Sequence, residues 1–181
     1  TAVTETGTLN LTDSSGEAQL NFESGSTLYI RVEDSDQNTS SSTSQTISAS
    51  VASETETVAE SVTLTETGVN TGIFMGSITF EEATAVSGDG TLQVKRGDKL
   101  TGSYTDPADD FGNESTVTDF SFYGVTLISG IIYTSTTWDT LGSPYLITGD
   151  LTVYQYATLT IGPGTEIRFV PISDDLSAGD D

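Results

Sequence analysis

Short runs in which apolar and polar residues alternate fill most of the chain, and no helical period persists over about 11 residues. In the first segment, 3–12, Val3, Leu9 and Leu11 share one face, interrupted by Glu5 and Gly7. A polar turn at 13–16 leads into Ala18, Leu20 and Phe22, a spacing that predicts a hairpin with the first segment. Further alternating runs occupy 27–32, 45–51, 57–65, 72–80, 91–95, 99–105 and 116–125. Gly-containing turns at 24–26, 68, 88–90 and 96–98 separate them.

Strands this short and this regularly spaced predict an all-β protein. The expected fold is an antiparallel β-sandwich of immunoglobulin-like or jelly-roll-like topology with extra C-terminal strands. Residues 1–22 then form an N-terminal strand or hairpin that a neighbouring molecule could exchange, and 23–126 form the sandwich. Residues 127–172 supply additional strands, and 173–181 an acidic tail containing Asp174, Asp175, Asp180 and Asp181.

Two stretches carry family resemblances. After about residue 127 come Trp138, then PYLITGD at 144–150 and LTIGPGTEIRF at 159–169. These resemble the opening coil of right-handed parallel β-helices in bacterial surface proteins. A coil buries its apolar face only by stacking on another, and solenoids generally need at least ~3 repeats. Only one or two are expected here. A continuation outside this sequence, a fold back onto the sandwich as extra strands, and stacking on another subunit all remain open. Within 20–126, the stretches VEDSDQN at 32–38, LTETGVNTGIFMG at 64–76 and GDKLTGSYTDP at 97–107 occur in that order. They resemble immunoglobulin-like modules of large archaeal and bacterial surface proteins, which implies a structural role in the cell envelope and no catalysis.

Composition narrows the chemistry. Among 181 residues, 27 are acidic and 5 basic, giving a formal net charge of -22. Phosphate binding needs clustered Lys and Arg, so nucleic acid is not an expected partner. With no Cys and no His, thiol nucleophiles, His-based acid–base catalysis and zinc or haem ligation through those residues are excluded. No apolar run approaches the ~20 residues of a membrane-spanning helix. The richness in Ser, Thr, Gly and Asp and the scarcity of Lys resemble secreted and cell-surface proteins of prokaryotes.

So acidic a surface repels itself unless cations neutralise it, and two loops concentrate the charge. In the first, Asp34, Asp36 and Asn38 alternate, as oxygen ligands do when a tight loop turns several side chains onto one Ca2+. Thr39 and Gln45 stand where an EF-hand loop requires Gly and a bidentate Glu, so a β-loop calcium site is expected instead. In the second, Asp106, Asp109, Asp110 and Glu114 would repel one another without a cation between them. Single carboxylates such as Glu66 and Asp98 read as turn caps or as partners of Lys95, Arg96 or Lys99. If successive strands simply reverse, the loops after 32 and 65 share one pole and the loop after 105 lies at the other.

The expected function is that of a non-enzymatic, calcium-stabilised subunit of an extracellular filament, surface layer or stalk. It would assemble head to tail with copies of itself by strand addition. The competing reading is a carbohydrate-binding or adhesive module from a larger β-helix surface protein, with Trp138, Tyr145, Tyr154 and Tyr156 stacking on surface glycans.

Overall fold

The computed structural model describes residues 4–170 and contains strands but no helix among them. Val3 and the tail at 173–181 lie outside the described residues. The chain divides into two compact units, one up to Tyr123 and one from Gly124 onward.

The first unit contains β1 (Thr8–Thr12), β2 (Asn21–Phe22), β3 (Thr27–Glu33), β4 (Thr46–Ser53), β5 (Glu60–Glu66), β6 (Ile73–Glu81), β7 (Thr91–Gln93), β8 (Lys99–Asp106) and β9 (Ser115–Tyr123). Alternation decides the faces. In β3, Leu28, Ile30 and Val32 point inward and are fully buried, while the residues between them are partly or fully exposed. All nine strands belong to one hydrogen-bonded sheet, in the order β1-β3-β6-β5-β4-β8-β9-β2, with β7 added beside β6.

That sheet curls until its first strand packs against β8 and β9, enclosing one core built on Leu11, Leu28, Ile30, Leu64, Phe74 and Leu100. Gly102 permits the approach, because a Cβ there would lie 2.7 Å from Leu11 Cδ2 and 3.0 Å from Leu9 Cδ2. The free amide of Leu11 donates to the Asp119 carboxylate of β9 at 2.8 Å. An acidic side chain thus covers an amide at the edge of β1, where a foreign strand would otherwise add.

Three expectations need correction. The sheet is mixed, not antiparallel throughout, because β2 pairs with β9 and β7 with β6 in parallel. The expected hairpin between 3–12 and 18–22 shrinks to one bridge, Thr12 to Ala18. Phe22 instead enters the core beside Phe80, which draws β2 to β9. Finally, the parallel course of β7 breaks the reversal of strand direction. β8, which pairs antiparallel with β4, therefore delivers its C-terminal loop to the same pole as the loop after β3. The loop after 105 is not at the opposite pole.

The second unit contains β10 (Thr126–Ile132), β11 (Thr136–Trp138), β12 (Tyr145–Val153), β13 (Leu159–Ile161) and β14 (Ile167–Phe169). Every pairing in it is parallel: β10-β12-β14 form one sheet and β11-β13 another. Thr126 pairs with Tyr145 and Tyr145 with Ile167, while Trp138 pairs with Ile161, so like positions recur after about 20 residues, as in a solenoid. Trp138 stacks on Tyr145 at 4.7 Å between ring centroids, 11° from parallel, and Ile147 completes this small buried core.

Candidate functional site: the acidic pole of the first unit

The two acidic loops singled out in the sequence meet at one pole, and the segment 5–7 leading into β1 lies between them. Its three successive amides each reach a different carboxylate. Glu5 N–H donates to Asp36 Oδ2 at 3.0 Å, Thr6 N–H to Asp110 Oδ1 at 3.1 Å, and Gly7 N–H to Asp106 Oδ2 at 2.7 Å. Gly7 leaves room for this, since a Cβ there would lie 3.2 Å from both Asp34 Oδ2 and the Tyr104 ring.

Asp34 is the buried centre, at 2 % exposure. Its Oδ1 accepts the amides of Asp36 and Gln37, closing an Asx turn, and its Oδ2 accepts the Tyr104 hydroxyl at 2.6 Å. Burial pushes the Asp34 carboxyl above its usual range and the nearby Asp106 charge adds to this, against the hydrogen bonds that favour the anion. The Tyr104 hydroxyl is pushed up by burial and by its bond to Asp34, so it stays a proton donor.

Asp106 is also fully buried, and its second oxygen accepts Ala108 N–H at 2.8 Å. Asp109 is committed to its own turn, where Oδ1 accepts Phe111 N–H and Asn113 N–H. Glu114 is exposed just before β9. Asn38 donates through Nδ2 to Asn70 Oδ1 at 3.0 Å, while its own Oδ1 is buried without a hydrogen-bond partner. An open depression of about 520 Å³ lies there, lined by Asp36, Asn38 and, from the second loop, Ala108. Among the described residues no group of three or more acidic side chains is disposed to hold a metal ion. The backbone amides of 5–7 fill part of the role that the sequence assigns to a cation.

A third element joins the pole. Glu66 ends the inward row of β5, which reads Glu60, Val62, Leu64, Glu66. Burial pushes its carboxyl up, but the amides of Thr71, Gly72 and Gln45 and the Thr71 hydroxyl outweigh this and hold it below the usual range. Gly72 takes a φ of 64°, which its missing side chain allows, and its carbonyl accepts Asp34 N–H at 2.8 Å. Glu66 is therefore a turn cap, as is Asp98, whose Oδ2 accepts the amides of Thr55 and Lys95. Sequence reasoning missed that Glu60 and Glu66 face inward, although their alternation with Val62 and Leu64 signals it. It also missed Tyr104 as the link between the loops.

In the second unit, Trp138 and Tyr145 are buried against each other, whereas Tyr133, Tyr154 and Tyr156 are exposed and in ring contact. No family model and no curated protein matches the chain.

Proposed function

We propose that the protein is a non-enzymatic structural subunit of an extracellular assembly of filament, surface-layer or stalk type, on the surface of a prokaryote. The observation that carries this reading is the parallel ladder of the second unit, with apolar side chains exposed on its last described strands. Among the described residues nothing pairs with the outer edges of β13 and β14. Beside those edges Ile161 and Phe169 are 51 % and 73 % exposed. Unpaired strand edges with apolar neighbours invite another strand. A copy adding there head to tail forms an open fibre when the rotation does not close. This edge suits strand addition better than β1, which sits in its own sheet with Leu9 and Leu11 in the core.

The immunoglobulin-like kinship of the first unit belongs to the same proposal, as does stabilisation by Ca2+ at the acidic pole. The orphaned Asn38 Oδ1 beside Asp36 supports the cation. Glycan binding is the second reading, favoured by the exposed trio Tyr133, Tyr154 and Tyr156, since aromatic rings stack on sugar faces. Trp138 and Tyr145 have no exposed face to offer it.

The test is the oligomeric state of the full chain and of the double variant Ile161→Lys with Phe169→Lys, by light scattering in calcium-containing buffer. Assembly of the full chain and a folded monomer for the variant are expected. A full chain that stays monomeric, or a variant that still assembles, overturns the reading. Retention on a glycan array that is lost in Tyr154→Ala would then favour the second.

A further inference from the structure

The opposite end of β5 holds a buried carboxyl pair that the acidic pole does not involve. Glu56, in the connection between β4 and β5, is fully buried, and Glu60, the first residue of β5, is 2 % exposed. Glu60 spends its two oxygens on the turn before β7: Gly88 N–H donates to Oε1 and Gly90 N–H to Oε2. Glu56 Oε2 accepts Gln93 N–H, from β7 itself, at 3.0 Å. Its Oε1 is buried and receives no donor, and the Glu60 side chain that holds the same 86–93 segment acts on Glu56 from nearby. The charges acting most strongly on Glu56, Glu60 and Asp89, are both negative. Asp98, which takes Thr55 N–H, adds a third carboxylate to the neighbourhood.

Two neighbouring buried carboxylates favour holding one proton over carrying both charges. A proton on Glu56 Oε1 resolves both problems: it removes one charge and turns the orphaned acceptor into a donor.

We infer that Glu56 is a neutral carboxylic acid in the native protein and donates through Oε1 to Glu60, so that one proton latches the 86–93 segment onto β5. The latch has a direction. Burial, with the adjoining Glu60 carboxylate, raises the Glu56 carboxyl above its ordinary value. The stability it contributes is therefore complete below the ordinary carboxylate value of about 4.3 and disappears as pH rises through the folded-state value. On ionisation, repulsion from Glu60 acts on the pair that holds Gly88, Gly90 and Gln93. The loop before β7 is then the part that opens, ahead of the core.

The test uses the full chain. Infrared spectroscopy just above the ordinary carboxylate value of about 4.3 should show the carbonyl stretch of a buried protonated acid, absent in Glu56→Gln. Amide exchange at Gly88, Gly90 and Gln93, corrected for the intrinsic rate, should speed about tenfold or more as pH rises from the ordinary carboxylate value of about 4.3 into the alkaline range. In Glu56→Gln the amide group makes the same donation without titrating, so exchange there should lose its pH dependence. Glu60→Gln, which removes the facing charge, should flatten it as well. Absence of the infrared band, or the same pH response in Glu56→Gln, overturns the inference. So does a calcium-induced slowing of that exchange that vanishes in Glu56→Gln, because the pair would then hold a cation in place of the proton.

Discussion

The Tyr104 hydroxyl donates to Asp34 Oδ2 at 2.6 Å, joining the end of β8 to the turn after β3 inside a fully buried contact. Asp34 also holds its own turn, so one carboxylate fixes both acidic loops. Tyr104→Phe keeps the ring in the core and removes only the donor. It should lower the stability of the first unit by about 1–3 kcal/mol, since a buried acceptor loses its partner. Urea unfolding followed by circular dichroism checks this, and a change under about 0.5 kcal/mol would mean that water replaces the hydroxyl.

Glu66 sets an opposite dependence on pH from Glu56. Its folded value is depressed by the amides it accepts, so its contribution is present above the ordinary value of about 4.3 and is lost as pH falls through the depressed one. Glu66→Gln should make the protein less stable at neutral pH and flatten its acid limb. Thermal melts of both proteins from neutral to acid pH decide it, and parallel curves for the two would refute the role.

The single Trp of the chain reports on the second unit alone, because Trp138 stacks on Tyr145 in the small core there. Tyr145→Ala should destabilise that unit by about 3–5 kcal/mol, in the manner of large aromatic truncations. Trp fluorescence should then redden at lower denaturant than in the parent chain. An unmoved fluorescence midpoint would show that the stacked pair is not central to the fold.

Calcium at the acidic pole, if bound by the native state alone, stabilises by mass action. The melting temperature should rise when millimolar calcium is added at matched ionic strength and fall with chelator, and Asp36→Ala should remove most of that response. Identical melts with calcium and with chelator would leave the loops' charge to be offset by hydrogen bonds, those of the 5–7 amides and the Tyr104 hydroxyl among them.

Strand positions were legible because alternation survives wherever one face is buried. The run at 27–32 became β3 at Thr27–Glu33, and that at 99–105 became β8 at Lys99–Asp106. Strand direction was not legible. β7 spans only Thr91–Gln93, too short for its pattern to show whether it runs with or against β6, and that one strand decides which pole receives Asp106. The acidic loops stood out through their spacing, and the structure brings them together. Their principal donors did not stand out, because the amides of Glu5, Thr6 and Gly7 belong to backbone that any residue supplies. The parallel pairing of β10, β12 and β14 was not legible in alternation, which is the same for parallel and antiparallel strands.

The parallel ladder separates length from thickness. Each further turn of such a wall advances the backbone by one inter-strand spacing, ~4.8 Å, while its cross-section stays constant. Whole-turn duplications or losses would lengthen or shorten it in fixed steps without disturbing the side-chain columns, in which Ile128, Ile147 and Phe169 stand in line. A one-residue slip inside β12, by contrast, would turn every later side chain of that strand to the wrong side. Reach in this unit is therefore free to change by recombination of whole turns, and rigid against single-residue insertions.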